Sequence, residues 1–89
     1  MEFQFFRPFD AIAGTSAIRL KISDPSPVRD LLGRLIKEIP SFKPYVKRGG
    51  DEVQNFFMVL VRGGEILKLE DLIGDEDVIK VLPPISGGS

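Results

Sequence analysis

The 89-residue chain contains no cysteine, no histidine and no tryptophan. Without cysteine there is no thiol nucleophile, disulfide or thiolate metal site. Without histidine the commonest general base and the commonest transition-metal ligand are both missing. Acid–base chemistry would fall to carboxylates, lysines or Tyr45, so the chain is poorly equipped to be an enzyme alone. Long apolar runs are missing as well; no stretch approaches the roughly 20 residues needed to span a bilayer. Neither charge dominates, with 12 Lys+Arg against 13 Asp+Glu and a net charge of −1. That balance argues against a general binder of nucleic acid or of membrane surfaces. Met1 to Asp10 lacks the basic-then-apolar layout of a signal peptide, and the expected location is cytoplasmic.

What is present is one small domain with 43% apolar residues, enough for a single core. Met1 to Phe9 alternates in part, with Phe3 and Phe5 on one face and Gln4 and Phe6 on the other. Gly14-Thr15 marks a turn, and Ala17 to Ile22 forms a second strand with Ile18, Leu20 and Ile22 inward. Ser26-Pro27 reads as a helix start, Ser as N-cap and Pro at the first helical position. Val28, Leu31, Leu32, Leu35, Ile36 and Ile39 then form one apolar stripe, Asp30 and Arg34 pair across one turn, and Pro40 ends the helix. Ser41 to Asn55 reads as a solvated loop; its Lys43, Lys47, Arg48 and Tyr45 make only a weak RNA-contacting patch, for lack of an aromatic platform.

Phe56 to Val61 is apolar on both faces, which predicts a central strand. Arg62-Gly63-Gly64-Glu65 turns it into a short strand, Ile66 to Leu69. Glu70 to Gly74 suggests one helical turn, and Asp75-Glu76-Asp77 leads into a last strand, Val78 to Leu82. The acidic run is better read as a solvated turn than as a metal site, and neither Gly49-Gly50 nor Gly63-Gly64 sits where a phosphate cradle would. The order β-β-α-β-β-β predicts an α+β fold, a mixed sheet of four to five strands with one main helix across one face. The other face stays partly open. Alternation sends Phe6, Leu82 and Ile66 there, either as scattered surface residues or as a partner-docking patch.

Residues 1–82 thus form a folded body, and residues 83–89, Pro83-Pro84-Ile85-Ser86-Gly87-Gly88-Ser89, an extended tail. Two prolines end the strand because neither can donate to a sheet ladder. Two glycines, lacking Cβ atoms, let the chain end enter a channel too narrow for side chains. A flexible Gly-Gly-Ser end without function is the competing reading.

Three segments together resemble the ubiquitin-like β-grasp fold and, within it, the MoaD/ThiS family of sulfur carriers. They are Phe3-Gln4-Phe5-Phe6 with Ala13-Gly14, the turn Val61-Arg62-Gly63-Gly64, and Gly74-Asp75-Glu76-Asp77-Val78 running to Pro83-Pro84-Ile85-Ser86-Gly87-Gly88. The MoaD branch fits best. The resemblance implies that an activating enzyme of the MoeB or ubiquitin-activating type uses ATP to adenylate the terminal glycine carboxylate, which then becomes a thiocarboxylate. It implies a second partner, a MoaE-like large molybdopterin synthase subunit, that accepts the tail and takes sulfur for molybdenum or tungsten cofactor. By position, Gly88 would carry the sulfur with Gly87 behind it. Pro83, Pro84, Ile85 and Ser86 would thread the channel, and Phe6, Ile66 and Leu82 would dock the partner. No cofactor or metal would be bound by the chain itself.

Two departures qualify that resemblance. Ser89 lies beyond the diglycine and moves the terminal carboxylate by roughly 3.3 Å, too far for an aligned acyl transfer. A trimming protease, or a chain altered at its end, would account for it. Phe9-Asp10 stands where family members often have Arg-Glu, which shifts any partner-holding role toward Arg7. A protein modifier joined through Gly88 to lysines, a thiazole-synthesis carrier and an interaction domain with an inert tail are the alternatives.

Overall fold

The protein is described by a computed structural model, in which residues 1–84 are placed. Strand β1 (Glu2–Phe5) is followed by a short helix α1 (Phe9–Ala13), β2 (Ala17–Arg19) and the two-residue β3 (Ser26–Pro27). Helix α2 (Val28–Glu38), a 3₁₀ helix (Pro40–Tyr45) and the strands β4 (Val46–Gly49) and β5 (Glu52–Phe56) come next. The chain closes with β6 (Val59–Arg62), β7 (Glu65–Ile66), β8 (Leu72–Ile73) and β9 (Val78–Leu82). The main sheet has five strands in the order β2-β1-β9-β6-β7. β1 and β9 run parallel, and the other neighbours are antiparallel. This is the mixed-sheet α+β arrangement, with one main helix, of a ubiquitin-like β-grasp fold.

Alternation along the strands decides which side is core. Phe3, Phe5, Leu60, Ile79 and Val81 are at most 5% exposed and face α2. The helix returns Val28, Leu31, Leu32, Leu35 and Ile36, all buried, as its apolar stripe demands. Ile39, at the end of the stripe, is half-buried. Phe42 from the 3₁₀ helix stacks on Phe5 with centroids 5.2 Å apart and on Phe9 at 6.0 Å, while Tyr45 meets Phe9 edge-on. These rings seal one end of the core.

Several expectations from the sequence are corrected. The first strand ends at Phe5 rather than Phe9. Phe6 still donates its N–H to Val81, but Pro8 has no N–H to continue a ladder, and Phe9 turns inward as the buried residue of α1. The second strand stops at Arg19, although Leu20 and Met1 still exchange backbone hydrogen bonds and Leu20 and Ile22 are buried. Ser26 does not cap α2: it pairs with Ile73, and Pro27 occupies the cap position. The first helical N–H groups of Val28 and Arg29 instead donate to the carbonyls of Asp71 and Leu69, so the orphan donors are met by tertiary partners. Arg34 does not reach Asp30; it donates to the Lys21 carbonyl at 2.9 Å.

The supposed loop from Ser41 to Asn55 contains the 3₁₀ helix and most of a β4–β5 hairpin turning at Gly50-Asp51. Lys43, Lys47 and Arg48 are exposed on it, while Tyr45 is partly buried among aromatic rings and offers no open stacking platform. Phe56 to Val61 is not one strand: β5 ends at Phe56, the chain bends, and β6 begins at Val59. The central strand is β9. The strand expected over Ile66 to Leu69 is only Glu65–Ile66, and the expected helical turn at Glu70 to Gly74 is the β8 bridge to β3. The Gly63-Gly64 turn is as expected: φ values of 57° and 83° give the two positive-φ positions that a two-residue hairpin needs.

Arg62 ties this end together. It donates to the Leu72 carbonyl at 2.7 Å, to Asp77 at 3.1 Å and to Glu65 at 3.3 Å. Asp77 also accepts the Gly74 N–H at 2.7 Å; that bond and the Arg62 guanidinium hold its carboxyl below the ordinary carboxylate range, against the opposing effect of burial. Asp75 is likewise lowered, chiefly by accepting the Ile22 N–H and also by the terminal ammonium 3.5 Å away.

Two outcomes follow for stability. Leu35, fully buried under the sheet, should cost about 2–5 kcal/mol when cut to alanine; urea unfolding measures it. A carboxyl depressed by folding contributes stability above its unfolded value near 3.8 and loses it as pH falls through the folded value. Asp77→Asn should therefore be less stable than the parent near neutrality and lose less stability on acidification through and below about pH 4, read from denaturation midpoints at several pH values.

Candidate functional site: the open sheet face at the root of the tail

Only one side of the sheet carries α2, and the register shows what the other side presents. Three rows cross it. Arg19, Glu2 and Val78 are aligned in the first, and Ala17, Gln4, Lys80, Val61 and Ile66 in the second. Leu82 and Val59 form the third, and Phe6 adjoins Leu82 because its N–H bonds the carbonyl of Val81. Phe6 is 43% exposed, Val78 41% and Ile66 67%. Leu82, Val59 and Val61 are half-buried.

The structure therefore brings Phe6 and Leu82 together at the point where β9 gives way to Pro83 and Pro84, both exposed. Ile66 shares the face but belongs to its other margin, three strand positions from β1 and thus on the order of 14 Å from Phe6. Val59 and Val61 fill the space between. Alternation alone does not single out these valines or Val78, because Phe56 to Val61 reads as a strand apolar on both faces. Register makes the open valines legible only once β6 is known to be a neighbour of β9. Phe57 was missed for the same reason. It is 50% exposed in the bend just before Val59, and so close to the tail's root.

Polar residues on the face are arranged unevenly. Glu2 accepts a hydrogen bond from Gln4 at 2.8 Å and lies 3.8 Å from Arg19. Lys80 stands mid-row between Gln4 and Val61, exposed. Among the described residues no group of three or more metal-ligating side chains occurs, and Asp75 and Asp77 are engaged in the turn and ion-pair contacts already given. No helix among them is long and apolar enough to cross a membrane. Ile85, Ser86, Gly87, Gly88 and Ser89 lie outside the described residues.

Such a surface can bind a protein through an apolar patch and present a narrow chain end beside it. Comparison with known proteins identifies the family. The ThiS family profile matches residues 3–88. Small archaeal modifier protein 3 of Haloferax volcanii is 30% identical over 91 residues, covering 99% of this chain and 98% of that protein. Small archaeal modifier protein 1 of the same organism is 28% identical over 88 residues, at 99% and 100% coverage. A crystal structure of the latter, SAMP1, superposes with a TM-score of 0.79 at 26% identity, covering 99% of this chain and 98% of that one. A Pyrococcus furiosus structure named for molybdopterin converting factor, subunit 1, gives 0.76 at 25% identity, covering 94% and 95%. The chain belongs to the ThiS family of small ubiquitin-like carrier and modifier proteins.

Proposed function

We propose that the protein is a sulfur carrier acting as the small subunit of molybdopterin synthase, with Gly88 as the residue that is activated. The observation that carries this reading is the position of the tail: Pro83 and Pro84 leave the central strand beside Phe6 and Leu82, on the open face. A partner docked on that face receives the chain end at its own active site. The chain supplies a carboxylate, and its partners supply ATP binding, thiols and acid–base groups, consistent with a sequence free of histidine and cysteine.

In this reading an activating enzyme of the MoeB or ubiquitin-activating type adenylates Gly88, and pyrophosphate leaves. A carboxylate is a poor acyl electrophile, whereas the adenylate carries AMP as a good leaving group. A sulfur donor displaces AMP, and the resulting thiocarboxylate, a stronger nucleophile than the carboxylate, delivers sulfur in the MoaE-like large subunit. Anything beyond Gly88 must first be removed, since one extra extended residue displaces the carboxylate by roughly 3.3 Å. Ser89 is the residue a trimming protease takes.

The modifier reading has its own support, because both sequence relatives described above are named as modifier proteins. It uses the same adenylate, with a lysine amine as the final nucleophile. The two readings separate after activation, so a single experiment serves both. The chain ending at Gly88 is incubated with ATP, a sulfur donor and the activating enzyme of its source cells, and followed by intact mass. Oxygen-to-sulfur exchange on the free chain, and a stable complex of that chain with a co-purified large synthase subunit, is the expected outcome. Conjugates lost on removing Gly88, without sulfur exchange, would replace the carrier with the modifier. The chain ending at Ser89 should stay unchanged with purified enzyme.

Docking on the open face gives a second expectation. Phe6→Asp places a charge in the patch without entering the core, so melting temperature should barely move. Affinity for the activating enzyme should fall by about tenfold or more, as for a hot-spot aromatic, by calorimetry.

A further inference from the structure

The open face carries one feature that its apolar character does not explain. Lys80 sits at its middle, with Val78 and Leu82 before and after it on β9 and Gln4 and Val61 across from it on the neighbouring strands. The other strand charges of this face, Glu2 and Arg19, lie at one end of it and are within reach of each other. Glu2 is further occupied by the Gln4 amide. The ion pairs among the described residues involve Arg19, Arg29, Arg62 and the terminal ammonium, and none of them reaches Lys80. The ammonium at the centre of the patch is thus left to solvent, although the acids outnumber the bases in the chain by one.

We infer that Lys80 determines what can cover this face: it rejects a second copy of the chain and selects a partner that sets a carboxylate within its own apolar surface. The inference rests on the proposal that the face docks a protein, but one arm of its test does not. Two copies meeting face to face about a two-fold axis through the patch would bring Lys80 against Lys80. Both ammonium groups would lose water without gaining a counter-charge, and the like charges would repel. An apolar partner without an acid would bury the same unpaired charge. A partner carboxylate turns that cost into a charge-assisted hydrogen bond and fixes register, which scattered valines and a phenylalanine cannot do. The tail leaves the same strand two residues after Lys80, beyond Leu82, so register here also sets where the chain end points.

The first arm uses the purified full chain alone. Sedimentation velocity should show the parent and Lys80→Glu each monomeric, since like charges meet in both. Their mixture should associate at least about tenfold more tightly than either alone, because opposite charges then face each other. Lys80→Val should also self-associate, its face being continuous and apolar. A mixture no tighter than its components, or a parent already dimeric through this face, would overturn the inference. The second arm uses ATP–pyrophosphate exchange by the source cells' activating enzyme on chains ending at Gly88. Lys80→Glu should raise KM for the chain by about tenfold or more with kcat within about twofold, and Lys80→Arg should restore most of it. An unchanged KM for Lys80→Glu would also overturn it. Failure of the parent chain to support any exchange would instead remove the carrier reading, and the mixing experiment would then judge Lys80 by itself.

Discussion

One long helix cannot cover both faces of a five-stranded sheet, and most of what this protein can do follows from that constraint. The apolar stripe of α2 satisfies the face holding Phe3, Phe5, Leu60, Ile79 and Val81. The opposite face keeps Phe6, Val78 and Ile66 exposed in a chain too small to fold a second layer over them. The parallel pairing of β1 with β9 puts the last strand at the centre of the sheet rather than at an edge. The chain therefore leaves its body from the end of the central strand, beside Phe6 and Leu82 on the uncovered side. The open face and the chain end adjoin because of strand order, not because any local sequence links them.

Much of this was legible in the sequence, for physical reasons that differ between elements. The helix from Val28 was readable because six apolar positions at helical spacing leave little other solution. The Gly63-Gly64 hairpin and the last strand, bounded by Asp77 and Pro83, were readable from turn chemistry and alternation. What failed did so where tertiary partners replaced local signals. Ser26 looks like a cap, yet the carbonyls of Asp71 and Leu69 serve the helix start, and their positions depend on a crossing about forty residues away. The β4–β5 hairpin was lost in a polar, glycine-containing stretch whose only buried strand residues are Val46 and Val53. Of the open face, alternation places Phe6, Ile66 and Leu82. It does not place Val59, Val61, Val78 and Phe57, because their exposure is a consequence of register and of one bend.

The missing chemistry in the side chains fits the proposed role of the chain end. A protein with no thiol and no imidazole can still take part in group transfer if its own terminus is the group transferred to. That role asks little of the body except a stable scaffold and a recognisable surface. The scaffold's polar ties are concentrated accordingly: Arg62 binds β6, the β7 turn, β8 and the approach to β9 through Glu65, Leu72 and Asp77. These contacts hold the beginning of the strand whose other end carries the prolines. A strand anchored at its start and paired on both sides transmits little motion to its exit, so the tail departs from a fixed origin.

A fixed origin matters more for a carrier than for a simple tag. A tag must be activated once and then displayed, and its tail need enter only one kind of active site. A sulfur carrier has to enter at least two, the activating enzyme and the acceptor, with the same few residues beyond Leu82. In the proposed carrier role both partners read the same open face, and neither relies on apolar contact alone, since valine and isoleucine rows slide with little penalty. A charge placed among them supplies the missing register. On this fold that charge is Lys80, on the central strand and two residues before the tail begins to leave the sheet at Leu82, where an error in docking would be carried directly into the position of the reacting carbonyl.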